Sequence, residues 1–333
     1  MSSTIIEPAK ARVLELNLAG TGMMSMSDGR PFAWRPADLS PPDWTIGLGV
    51  REIEEAVELG PAALRPAMRL VKEKLESGTG FAIIDRLPVS RMSEKEAIHL
   101  YAWLGSMLGR QVPTKFDGTL FYRVTDEGRP FGPGVRGSAT SSELNFHTDN
   151  AFAEIMPEFV GLLCLRTARS GGVSRICNLY AIHDRMEKEE PHLLARLYGN
   201  AFFDRQREHE ADSPFVLKAP IFKFNGKTLQ ARLVPNLIRR GYEMAGAVLD
   251  ETLADALSYI EVLLADPANS VEFHLEPGQV LYLANHGIAH ARTRYFDGSE
   301  RRLMIRTWYR DEGAASYDGE EGLIATGDDR AAG

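Results

Sequence analysis

Cysteine is scarce in this chain of 333 residues: only Cys164 and Cys177 are present, enough for one disulfide and without the paired spacing of a cysteine-ligated metal. A disulfide-stapled secreted scaffold is excluded, and a reducing cytoplasm is the expected compartment. Long apolar runs are missing too. The longest, Phe159 to Leu165, has seven residues, against the roughly 20 that a membrane helix needs. There is no basic excess: 38 Lys and Arg stand against 46 Asp and Glu, a formal net charge of -8. Neither nucleic acid nor an anionic membrane is therefore an expected partner. The first residues carry neither the basic start nor the apolar stretch of a signal peptide. What is present, 44% hydrophobic and 25% charged residues, describes an ordinary globular chain long enough to bury a full core.

Residues 1–45 are rich in Gly, Pro and Ser and predict an irregular leader with room for one strand at Val13 to Leu18. Leu64, Met68, Leu70, Val71 and Leu75 recur at helical spacing, so a helix is expected over 61–77, ending at Gly78 and Gly80. Gly80 to Asp85 reads as a buried strand, and Ser93 with Glu96 as a capping box that opens a helix to Leu108. From Leu120 onward short strands take over, at 120–124, 144–147, 159–165, 174–179, 279–284 and 302–309. Asn225-Gly226 between two strand-like runs marks a hairpin. Helical inserts near 182–198 and 250–264 interrupt the strands, and the acidic tail 311–333 is expected to be loose. A mixed α+β unit over 46–310 follows.

His147-Thr148-Asp149 puts a histidine and a carboxylate two apart at a strand end, so both side chains leave one face and can converge on one ion. Two His and one carboxylate suit non-haem Fe(II) with open positions for oxygen chemistry. By chance about one His-x-acid match is expected in such a composition, and the sequence holds two. The other, His274-Leu275-Glu276, runs straight into the Pro277-Gly278 turn, which carries it away from a shared site. His183, His192 and His209 sit among charges and read as surface residues, His99 as a packing residue. The third ligand should come from a distant strand, with His286 and His290, both just past the apolar strand 280–284, as candidates.

His147-Thr148-Asp149, the turn and strand from Glu276 to His286, His290-x-Arg292-Thr293 and Arg302-x3-Arg306, in this order and spacing, together resemble the taurine dioxygenase and clavaminate synthase-like (TauD/TfdA) family of Fe(II)/2-oxoglutarate oxygenases over residues 80–310. The resemblance implies a double-stranded β-helix core, a cupin-like jelly roll with flanking helices, and Fe(II), 2-oxoglutarate as co-substrate and O2. It implies His147, Asp149 and His290 as iron ligands. It assigns the far carboxylate of 2-oxoglutarate to Arg302, 12 residues past His290, and to a hydroxyl after Gly171-Gly172, here Ser174 where relatives carry Thr. In several relatives an arginine at the position of Arg306 holds an anionic group of the substrate. Asp149 fills the position where related halogenases have Gly or Ala, which favours hydroxylation or desaturation over halogenation.

The expected activity is therefore oxidation of an unactivated C–H bond in a small carboxylate-bearing substrate, an amino acid or related metabolite. Arg136, in the Gly-rich loop before the metal motif, Phe152 and Asn145 are expected as further substrate contacts, and Asn150 to Met156 as a lid over the mouth. Two other readings stay open: a jelly-roll metalloenzyme using Zn or Mn for non-oxidative chemistry, and a non-catalytic small-ligand binding protein. A small molecule is the expected partner in each, with homo-oligomerisation left open.

Overall fold

The computed structural model describes residues 12–16, 23, 33–130, 135–209 and 212–311. Most of the expected leader, nearly all of the expected tail, and residues 131–134 of the Gly-rich loop lie outside these. Among the described residues, two sheets carry the centre of the fold. The larger runs in the order Thr45–Gly47, Phe81–Asp85, Val280–Ala284, Phe159–Arg166, Leu303–Tyr309, Gln111–Val112, with Tyr122–Val124 also pairing onto Leu303–Tyr309. The smaller runs Ser270–Phe273, Ser174–Asn178, Ile288–Arg292, Leu144–His147. All these pairings are antiparallel except Thr45–Gly47 on Phe81–Asp85.

Side-chain alternation along the strands explains how the layers form. On the inner face of the larger sheet Phe81, Ile83, Leu281, Leu283, Met304 and Trp308 share one core with Ile176, Val271 and Ile288 of the smaller sheet. On its outer face Ala82, Ile84, Val280, Tyr282 and Ile305 pack on helices Val50–Leu59, Arg65–Ser77 and Glu94–Gly105 through Ile53, Met68, Val71, Leu100 and Leu104. A sheet buried on both faces needs apolar residues at every position, which is why Phe81 to Ile84 is an unbroken apolar run. A further core joins helices Leu179–Glu189, Pro191–Leu197, Pro235–Ala245 and Glu251–Ala265 to the strands Asn200–Asp204 and Val216–Pro220.

Several local expectations are met. Ser93 caps the helix Glu94–Gly105, its Oγ accepting from Glu96 N while the Glu96 carboxylate accepts from Ser93 N at 2.7 Å. Asn225-Gly226 turns the hairpin Phe222–Phe224 to Leu229–Ala231, with Gly226 at φ +88°. The strand expected within 13–18 is present, at Val13–Glu15, and pairs in parallel with Val216–Lys218. Other features differ. The insert expected at 182–198 is two helices, broken where Pro191 cannot continue the first. The helix Val50–Leu59 was not legible because only Ile53 and Ala56 of its ten residues are buried. His183, expected at the surface, is fully buried, its Nε2 2.9 Å from the Tyr198 hydroxyl, and His99 is exposed against the Trp103 ring.

Candidate active site

The edge strand Leu144–His147 of the smaller sheet and its neighbour Ile288–Arg292 place His147 directly opposite His290, with ring centroids 4.3 Å apart. Asp149 follows in the turn after the first of them. The intervening Thr148 points away: its Oγ donates to Ala231 O at 2.9 Å and accepts from Leu233 N at 3.0 Å, so the chain is pinned from behind. Asn150 then adopts φ +54°, a left-handed conformation that Asn tolerates better than most residues. Asp149 Oδ1 lies 3.4 Å from His147 Nε2 and 3.7 Å from His290 Nε2. The three ligand atoms fall within 4.8 Å of one another.

The protonation states suit a cation. The Asn145 carbonyl accepts a hydrogen bond from His147 Nδ1 at 2.8 Å, which turns Nε2 toward Asp149. Burial and the adjacent His147 push the His290 imidazolium pKa down to about 3, so the ring is neutral as a ligand must be. For Asp149 burial alone would raise the pKa. The Arg306 charge, reinforced by the two histidines, overturns this and holds the carboxyl well below the usual carboxylate range. Two imidazoles and one carboxylate gathered in this way are the donor set that non-haem iron oxygenases use.

Two residues that sequence reasoning gave no role hold Asp149 in place. Trp308 Nε1 donates to Asp149 Oδ2 at 2.7 Å, which leaves Oδ1 as the oxygen turned toward both histidines. The fully buried Asn285 accepts from Asp149 N at 2.8 Å and donates to the carbonyls of Asp149 and Pro157 at 2.9 and 3.0 Å. Trp308 was within reach of the parity rule, being two past Arg306 on the same strand face, whereas Asn285 sits in the turn after Val280–Ala284, where no such rule applies. Asn285→Ala is expected to lose about 2–4 kcal/mol of stability, three buried hydrogen bonds at about 1 kcal/mol each. Iron affinity should fall roughly 10- to 100-fold, as for other residues that orient a ligand. Urea unfolding and an Fe(II) titration read the two effects separately.

Arg302 and Arg306 are 5% and 8% exposed. Arg302 sits one residue ahead of the strand Leu303–Tyr309 rather than on it. Its main-chain N–H donates to Asp297 Oδ1 at 2.8 Å, and its Nη1 is buried with no hydrogen-bond partner among the described residues. Gly171 and Gly172 turn beside it at φ +72° and +71°. A Cβ on Gly171 would come 2.1 Å from Arg294 O, and one on Gly172 3.4 Å from Arg302 Nε, so the turn must be bare. Ser174, also buried, follows in the next strand. Arg306 Nη1 is 3.3 Å from Asp149, its Cζ about 5 Å from both the Tyr122 and Trp308 rings (5.0 and 5.1 Å), and its Nε has no partner among the described residues.

The outlying candidates are placed differently. Arg136 is committed to Glu208, at 2.6 Å, and to Thr114 O, at 2.8 Å, and reaches toward Arg306 only across the shared Tyr122 ring. Phe152 is packed in the core with Phe146 and Leu233 rather than standing as an open wall. Asn145 is exposed, and its main-chain oxygen, not its amide, orients His147. The segment Asn150 to Met156 is no loose lid. Arg232 donates to the carbonyls of Ala151, Ala153 and Glu154, and Arg310 to that of Ile155, which fasten it to the body. His274 and Glu276 are exposed, the latter paired with Arg86 at 2.7 Å, so the second His-x-acid match builds no site. His286 lines a separate small cavity of about 170 Å³ with Glu154, Lys223 and Arg232.

The family model for taurine catabolism dioxygenase TauD, TfdA family matches residues 55–308. The chain belongs to this family. It is accordingly a non-haem iron oxygenase that uses 2-oxoglutarate. FR-33289 synthase of Streptomyces rubellomurinus is 26% identical over 253 residues, covering 74% of this chain and 73% of that protein. An asparagine oxygenase solved with Fe(II), 3-hydroxyasparagine and succinate superposes with a TM-score of 0.60 at 20% identity, over 80% of this chain and 93% of that one. The non-heme iron oxygenase OrfP, solved with Fe and alpha-ketoglutaric acid, gives 0.58 at 15% identity, over 80% and 94%. These structures share the mixed fold of strands and helices described above. The free cysteines Cys164 and Cys177 are both buried, and no helix among the described residues is long and apolar enough to cross a membrane.

Proposed function

We propose that this oxygenase hydroxylates, or desaturates, an unactivated C–H bond of a small carboxylate-bearing substrate, an amino acid or a related metabolite. In this reading His147, Asp149 and His290 hold Fe(II), Arg302 and Ser174 hold the far carboxylate of 2-oxoglutarate, and Arg306 holds the substrate's anion. Iron and 2-oxoglutarate supply oxygen activation when bound; the chain's own part is to bind, orient and exclude water. The observation that carries the substrate class is Arg306, a guanidinium 8% exposed between two aromatic rings, beside the metal ligands and with a donor still free. Asp149 meets its charge on one side at 3.3 Å, and the Nε donor left over can take a second anion. The hydroxyasparagine named with the asparagine oxygenase and the (3S)-hydroxy-L-Arg named with OrfP are amino acids oxidised on carbon, in keeping with this class. Asn145, Phe152 and, across the Tyr122 ring, Arg136 are the further substrate contacts of this reading.

The finer architecture belongs to the same reading: the two sheets enclosing one apolar core form a double-stranded β-helix within one domain over 46–310, working in the cytoplasm. A Zn or Mn enzyme of non-oxidative chemistry would leave Arg302 with a buried donor and nothing to receive it, and a binding protein would form no succinate from 2-oxoglutarate and O2. The test is a screen of free amino acids and small acids for stimulated succinate release in the presence of Fe(II), 2-oxoglutarate and O2. A carboxylate-bearing compound should raise release well above the substrate-free rate. Stimulation confined to uncharged compounds would overturn the substrate class.

A further inference from the structure

Arg292 is a second buried guanidinium that nothing so far uses. It ends the strand Ile288–Arg292, two residues past His290 and directly opposite Ser174, so its side chain leaves the same sheet face as both. It is 6% exposed. Its Nη2 donates to the carbonyls of Thr140 and Ser142, while Nε and Nη1 are buried with no hydrogen-bond partner among the described residues. The Tyr295 ring ties it to Arg302: the two Cζ atoms lie 4.7 and 5.2 Å from that ring's centroid.

Two guanidiniums thus converge on one aromatic ring in the interior, and no carboxylate of the described residues pairs with either. Asp297 is engaged by Arg302 N, and Asp126 by Gly128 N. Burial and the repulsion of Arg302 push the Arg292 pKa down to about 10, which leaves it charged at neutral pH. Like charges buried together without an anion are unfavourable. A carboxylate answers this arrangement, since its two oxygens offer about four acceptor sites and one arginine fills only two of them.

We propose that Arg292 is a second positioning guanidinium of the 2-oxoglutarate pocket, donating with Arg302 and Ser174 to the far carboxylate, and that the pair selects 2-oxo acids bearing that carboxylate over those lacking it. The proposal rests on the co-substrate reading given above. It makes Arg292 a determinant of co-substrate choice rather than a brace for residues 140–142.

The experiment compares two ligands by their visible charge-transfer band on the anaerobic Fe(II) protein: 2-oxoglutarate, and 2-oxopentanoate, which has a methyl in place of the far carboxylate. In Arg292→Gln, which keeps an amide donor for the Thr140 carbonyl, the dissociation constant for 2-oxoglutarate should rise about 10- to 100-fold, the worth of a hydrogen bond to a charged group. That for 2-oxopentanoate should stay within about threefold. Arg292→Lys, with the charge but not the forked geometry, should fall between. Equal weakening of both ligands, or an unchanged 2-oxoglutarate constant, overturns the proposal and leaves Arg292 a structural brace. If the unmodified protein gives no band with 2-oxoglutarate, the co-substrate reading fails, and the assignment of Arg292 with it.

Discussion

His290→Ala is expected to reduce Fe(II) affinity by roughly a hundredfold or more and to bring oxygenase activity to background. Structural metal sites with four ligands bind with about 10–16 kcal/mol, so each ligand carries about 3 kcal/mol, and about 1.4 kcal/mol is a factor of ten. The ring cannot be replaced from nearby. His286 faces the small cavity beside Glu154 and Lys223, and His274 is exposed after its strand. His274→Ala is therefore the matched control and should leave iron binding unchanged. Equilibrium Fe(II) titration with a competing chelator reads both variants. Comparable losses from the two would mean that His290 is no ligand.

Arg306→Ala should raise the substrate KM by about a hundredfold, the cost of removing one partner of a buried ion pair, while the 2-oxoglutarate dissociation constant moves far less. A secondary effect follows from the 3.3 Å contact to Asp149. Without Arg306 the carboxyl loses the strongest influence that opposes its burial, so its pKa rises. For a group with a depressed folded pKa, the associated stability is present at neutral pH and is lost as pH falls through the folded pKa. In the variant that loss should begin at higher pH than in the parent. Lysine should not restore the KM, because it lacks the planar fork. If 2-oxoglutarate binding collapses instead and KM holds, the roles of Arg302 and Arg306 are exchanged.

His147 and Asp149 were legible from a local signal, a two-residue spacing at a strand end, whereas the choice of His290 over His286 came from the family resemblance, since both follow the same apolar strand. Even offsets would have reached further. Arg292 is two past His290, and Trp308 two past Arg306, each on the face of a residue already singled out. His183 was misjudged from its charged neighbours, although Leu179, Ile182 and Met186 put it on the buried face of its helix. The fixing of residues 151–155 was beyond reach. Its anchors, Arg232 and Arg310, are 78 to 155 residues away in the chain, and nothing in a single sequence ties them to those carbonyls. The pairing of Arg136 with Glu208, 72 residues on, was beyond reach for the same reason.

The most direct test of the account is an anaerobic titration of the Fe(II)-loaded protein with 2-oxoglutarate, followed by visible absorption. A weak charge-transfer band should grow to saturation in the intact protein, be absent in His147→Ala, and require far more 2-oxoglutarate in Arg302→Ala. An intact protein with no band, or a band that survives unchanged in His147→Ala, would contradict the assignment of His147, Asp149 and His290 as the iron site.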